Sequence, residues 1–156
     1  MDFINQIVKL TPAFYAAYPD PPYCEIMNNS DRQYNCLLID THYDYYICLP
    51  YRSHIPHNNA FKFRNSARSR RTDSGIDYSK MIIIRDPSYI SSYAAIIDQD
   101  EFRETMRYLN IIVSKAIKYL EDYIGHVQGV NTMEIQEYNR KYSRSTLPYF
   151  HKELGI

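Results

Sequence analysis

The sequence predicts an α+β fold, a compact, mainly antiparallel sheet flanked by helices, in a single domain over residues 1–156. Three observations lead there. The β-rich apolar runs "YNCLLID", "DYYICLP" and "MIIIRD" all fall within the first 90 residues. The one long stretch with helical spacing of apolar residues begins after residue 98. Strands and helices do not alternate, as a doubly wound sheet would require. At 156 residues and 45% apolar content, the chain is long enough for one core and too apolar for disorder.

Residues 3–10 are ambiguous between strand and helix by periodicity, and we take them as a strand. Thr11-Pro12 supplies a hydroxyl cap and a first-turn proline, which predicts a short helix over 12–18, ended by the prolines at 19, 21 and 22. The two β-rich runs form a hairpin over 34–49, joined at 41–43, with Pro50 ending the second strand. A short strand is expected over 60–63. "RNSARSRRTDSG" then reads as an exposed loop, before a buried strand over 80–85. Asp98 with Glu101 forms a capping box ahead of an apolar series at Phe102, Met106, Leu109, Val113, Ala116, Leu120 and Ile124. This predicts one helix over 99–124, stopped by Gly125. A last helix is expected over 132–143, and 147–156 carries no assignable pattern.

Formal net charge is zero, from 18 basic and 18 acidic residues, but its distribution is uneven. Between Tyr51 and Lys80 seven cations (Arg52, Lys62, Arg64, Arg68, Arg70, Arg71, Lys80) face only Asp73 and Asp77. A local basic field of this kind suits a polyanion whatever the total charge. The 17 tyrosines, with no tryptophan, can stack on bases, although most should be half-buried packing residues. The three cysteines, Cys24, Cys36 and Cys48, form no C-x-x-C pair, which argues against a disulfide framework or a zinc site. No signal-peptide pattern opens the chain and no apolar run is long enough to span a bilayer, so a cytoplasmic protein without membrane contact is expected.

The stretch "LPYRSHIPHNNAFKF" gathers a fixed cation, a hydroxyl and two proton-transfer groups in Arg52, Ser53, His54 and His57. RNA can be cut without a metal when its own 2'-hydroxyl attacks the adjacent phosphorus. That chemistry needs a base, an acid for the leaving 5'-oxygen and fixed positive charge for the phosphorane. Arg52 suits a phosphate clamp, the histidines suit proton transfer, and Ser53 can hold a non-bridging oxygen or orient the 2'-hydroxyl. The same residues also admit a structural reading, with exposed loop histidines, Arg52 paired to Asp77 or another carboxylate, and Ser53 capping a turn. A phosphate-binding glycine loop, H-E-x-x-H and a nucleophile elbow are absent, and "DPSYI" and "DQDEF" read as turn and cap residues.

"PYRSHIPHNNAFKF" followed by "SGIDYSKMIIIRDPSYI" resembles the endoribonuclease toxins of type III toxin-antitoxin systems, the ToxN and AbiQ group, and most closely their CptN and TenpN branches. The likeness covers residues 32–90. It implies a strongly twisted sheet related to the Kid and MazF toxins, and metal-independent RNA cleavage leaving a 2',3'-cyclic phosphate and a 5'-hydroxyl. It implies no cofactor. The implied inhibitor is a small pseudoknot RNA, which the toxin cuts from a repeat precursor and which blocks it in a closed protein-RNA assembly. Cellular or phage RNA would be the target, in phage defence by abortive infection. By the same resemblance Arg52 and Ser53 form the active loop, His57 carries a proton, Lys80 contacts phosphate, and Arg32 falls near a functional lysine. Arg52 stands where the ToxN branch has a second hydroxyl residue. His54, Lys62, Arg64, Arg68, Arg70, Arg71 and Tyr78 complete the expected RNA-binding set. The reading from another class is a non-catalytic RNA-binding or regulatory domain.

Overall fold

The computed structural model describes residues 6–27, 34–93 and 95–156. Its centre is β3 (Tyr46–Arg52), an apolar run buried on both faces. β2 (Asn35–Asp40) pairs antiparallel along one edge of β3, from Cys36↔Pro50 to Asp40↔Tyr46, and β1 (Gln6–Lys9) pairs with β2 beyond it. The other edge of β3 is shared. β6 (Ile82–Ile84) pairs with Tyr46–Cys48, while β5 (Gly75–Asp77) pairs with Tyr51 and Arg52 and carries β4 (Ala60–Lys62) outside it. The result is a six-stranded antiparallel sheet with helices, an α+β fold.

Between β5 and β6 the chain leaves the sheet in a 3₁₀ turn, Tyr78–Lys80, whose Ser79 N–H is held by the Asp77 side chain. That excursion explains why Pro50 does not end β3, as the sequence predicts. Leu49 and Pro50 pair with neither β5 nor β6, so a missing N–H there takes no bond from either of those strands. β5 itself escapes sequence reading because its three residues include a glycine and an aspartate. Gly75 is required by close approach: a Cβ there would strike the Phe61 carbonyl of β4.

α1 (Pro12–Ala17) matches expectation and contributes the fully buried Phe14. The long helix is broken. α3 (Gln99–Arg107) and α4 (Leu109–Val127) meet at Tyr108, whose φ −110° and ψ 21° leave the helical region. Only α4 buries an apolar stripe, Ile112, Val113, Ala116, Tyr119, Leu120 and Tyr123, which joins Leu37, Ile47, Leu49 and Ile83 in one core. α3 instead buries Glu101, Glu104 and Thr105, while Phe102, expected inside, is 39% exposed. The inner face of α3 is a row of acceptors: Glu104 takes the N–H groups of Arg64 and Asn65, and Asp100 that of Ala67. No Asp98 side-chain cap forms. Gly125 is not the stop either, since α4 runs to Val127 and the left-handed residue is Gly129 at φ 71°.

The basic stretch after β4 is more than an exposed loop. It contains α2 (Ser69–Thr72) and buries Ser66, Ser69 and Ser74, with Ser66 and Ser69 hydrogen-bonded to each other. α5 (Ile135–Tyr142) starts three residues later than predicted. The unassigned tail folds as a 3₁₀ turn, Leu147–Phe150, and α6 (His151–Leu154), with Leu147 and Phe150 fully buried. Cys36 and Cys48 are buried free thiols, and burial pushes Cys36 up to about 12. No helix among the described residues is long and apolar enough to cross a membrane.

Candidate functional site

The register of β3, β5 and β4 puts Arg52, Gly75 and Lys62 in one row, with their side-chain positions on one face of the sheet. Lys62 thus lies two strand spacings from Arg52, about 10 Å, with the bare Gly75 between them. Two residues along β5 on the same face stands Asp77, fully buried. Its Oδ2 accepts from Arg52 Nη1 at 2.9 Å and lies 3.3 Å from His57 Nε2. Its Oδ1 accepts from the Ser79 N–H at 2.9 Å and the Ser79 hydroxyl at 2.6 Å. Burial alone would raise the Asp77 carboxyl, but hydrogen bonds from His57, Ser79 and Arg52 outweigh it and hold the group below its ordinary range.

Sequence order sets the His57 tautomer. Its Nδ1 accepts the Asn59 backbone N–H at 3.0 Å, so the proton of the neutral ring sits on Nε2. There it faces Asp77 Oδ2 and, at 3.2 Å, Ser79 Oγ. Arg52 spends only Nη1 on Asp77; its Nε and Nη2 have no hydrogen-bond partner among the described residues, and its side chain is 28% exposed. This part-open guanidinium can take an anion while one edge stays anchored.

Ser53 belongs to a second, adjoining set. Its Oγ accepts from Arg68 Nε at 2.9 Å and Nη2 at 2.6 Å. With both lone pairs occupied, the Ser53 hydroxyl is left as a donor. Arg68 also lies 3.6 Å from Glu101, a buried carboxylate whose Oε1 has no hydrogen-bond partner. Burial raises Glu101 above its ordinary range, and Arg68 offsets part of that rise. Backbone bonds from His54 to Thr72 and Ile55 to Asp73 hold the two loops together. His54 at φ 56° and Asp73 at φ 49° both adopt left-handed backbone.

Of the residues expected to meet RNA, Arg52 and His57 are brought together on Asp77, and Ser53 and Arg68 are brought together in the second set. His54, Arg64, Arg70 and Arg71 are exposed around them, and Lys62 is half-buried. Two expectations are corrected. Tyr78 is 4% exposed, with its hydroxyl unpartnered inside the protein. Lys80 is buried because its Nζ is bound 2.7 Å from Glu25 and 2.7 Å from the Arg144 carbonyl. Neither presents a surface to a ligand. Arg32 lies outside the described residues. Sequence reading missed Asp77 as the hub, and Ser79 with it, although Asp-x-Ser before an apolar strand is the signature of a side chain capping its own turn.

Among the described residues no cluster of three or more His, Cys, Asp or Glu side chains is placed to hold a metal ion. The chain matches no protein-family model, no curated protein and no solved structure.

Proposed function

We propose that this chain is an endoribonuclease toxin of the type III toxin-antitoxin class, related in fold to the ToxN, Kid and MazF toxins. It would cut cellular or phage RNA by attack of the 2'-oxygen on phosphorus, with loss of the 5'-oxygen. The ends would be a 2',3'-cyclic phosphate and a 5'-hydroxyl. A small pseudoknot RNA, processed from a repeat precursor, would hold it inactive in a closed assembly. The reading is supported by the resemblance of residues 32–90 and, above all, by one arrangement: a half-free Arg52 and a Nε2-protonated His57 meet on Asp77, and the next residue after Arg52, Ser53, carries a donor-only hydroxyl held by Arg68. Arg52 would bind non-bridging oxygens through Nε and Nη2, and Ser53 would donate to one of them. His57 would carry a proton once Nδ1 is released from the Asn59 N–H. Exposed Arg64, Arg70 and Arg71 would follow the backbone.

One observation favours the non-catalytic RNA-binding domain instead: both ring nitrogens of His57 are engaged. Cleavage of a long RNA in the presence of a chelator, with the product ends identified, separates the two. The toxin reading requires 5'-hydroxyl and cyclic phosphate ends, and a fall of about 10²- to 10³-fold in rate for Arg52→Ala. Intact RNA recovered bound to the protein would establish the silent binder.

A further inference from the structure

Outside the Arg52 site, the feature with the most unexplained chemistry is a groove of about 380 Å³ between the edge strand β4 and the α3–α4 junction. Its size falls in the range of small-ligand sites, about 300–1,000 Å³. Phe61, Tyr108 and Ile111 form its apolar wall, and Lys62, Arg64 and Lys115 line it. Ile111 is 48% exposed, an apolar side chain left in solvent beside three cations.

The edge of β4 adds polar recognition. Asn59 accepts from Tyr78 N–H and Phe63 donates to the Ser74 carbonyl, so alternation turns the N–H and C=O groups of Ala60 and Lys62 away from β5, toward the open edge. Glu104, which also lines the groove, has both oxygens occupied by the N–H groups of Arg64 and Asn65. Its charge is therefore shared with the loop backbone. Asn58, at the near end of the groove, directly follows His57.

We propose that this groove binds an unpaired nucleobase of single-stranded RNA. The proposal rests on the ribonucleic acid reading above. Aromatic and aliphatic surface offers a stacking platform, the β4 edge offers backbone donors and acceptors to the base, and the cations meet the flanking phosphates. Phe61 and Tyr108 are closed on each other at 5.6 Å between ring centroids, so the base stacks on their open side rather than between them. A duplex, whose base faces are covered, does not fit this arrangement.

The test uses the RNA-free protein carrying Arg52→Ala, so that nothing is cut, and single-stranded RNA octamers with a fluorescent base analogue. Ile111→Asp puts a charge in the groove at an exposed helical position. We expect its affinity to fall about tenfold or more and the quenching of the stacked analogue to disappear. Lys62→Ala with Lys115→Ala should reduce the slope of log affinity against log salt by about 1.4. Unchanged affinity, quenching and slope in these variants, or no binding of single strands, would overturn the groove. Adding the same groove substitutions to the protein with Arg52 intact separates the two ideas. Cleavage that persists with unaltered binding discards the groove and keeps the ribonuclease. Groove-dependent binding with no cleavage in the unsubstituted protein keeps the groove and discards the ribonuclease.

Discussion

The turn that carries Asp77 and the helix that carries Glu101 each bury a carboxylate beside an arginine, and the outcomes are opposite. Asp77 receives donors from Arg52, His57 and Ser79 on both oxygens and is held in its charged form. Glu101 has one guanidinium at 3.6 Å and an oxygen with no partner, and burial raises it. Burial does not decide the charge of a side chain; the number of donors placed around it does. Asp77 therefore fixes a site, whereas Glu101 only places a charge behind the arginine that grips Ser53.

The sharpest way to break this contrast is Asp77→Asn, which leaves Arg52 without its anion and disturbs the His57 and Ser79 bonds. We expect a loss of about 2–4 kcal/mol in urea denaturation at pH 7, discounted from a fully buried pair because Arg52 is partly exposed. The pH dependence carries the sign. The folded value of Asp77 is lowered, so its contribution is complete above about pH 4, the ordinary carboxylate value, and is lost as pH falls through the folded value. The stability gap between wild type and Asp77→Asn should narrow as pH falls below about 4; a constant gap would mean that the charge is not what matters. Glu101→Gln should cost about 1 kcal/mol or less, with the reverse trend. Because its folded value is raised, wild type should lose ground to the variant as pH climbs from about 4 toward neutrality.

Smaller effects are expected far from both carboxylates. In the packing of α4 on α5, the Tyr142 hydroxyl donates to the Tyr119 carbonyl and the Tyr119 hydroxyl to that of Lys141. Tyr142→Phe should cost about 1 kcal/mol and leave RNA binding untouched. Lys118→Ala, which removes an exposed pair with Asp122, should change the denaturation midpoint by no more than about 0.5 kcal/mol equivalent.

Those tyrosines also show what could be read in advance. The apolar runs of β2 and β3 and the stripe of α4 were legible because their periodicity is the packing itself. The expectation that most tyrosines are half-buried packing residues agrees with Tyr15, Tyr18, Tyr89, Tyr138 and Tyr149, partly buried against the core, whereas Tyr119, Tyr123 and Tyr142 are buried within it. α3 was not legible as a separate helix, because its inner face is built from acids that bind backbone N–H groups 33 to 40 residues earlier, and no local pattern encodes that. For the same reason Arg52, Ser53 and His57 could be picked out as chemical types, while Asp77 could be named only as a partner of Arg52 and not as the group that also holds His57 and Ser79. Its importance lies in what β3, the loop after it and the Tyr78–Lys80 turn bring to it.

The Tyr78–Lys80 turn, which shapes the Asp77 and Ser79 ligands, is itself tied down from far along the chain. Thr146 donates its N–H to the Ser79 carbonyl at 3.0 Å and its hydroxyl to the Met81 carbonyl, and the Arg144 carbonyl receives Lys80. Thr146 lies 67 positions after Ser79. During translation, every residue of the Arg52 and Ser53 sets is therefore synthesised well before the segment that clamps their turn. A ribosome still making α5 therefore holds a chain in which the bonds from Thr146 to Ser79 and Met81 have not yet formed.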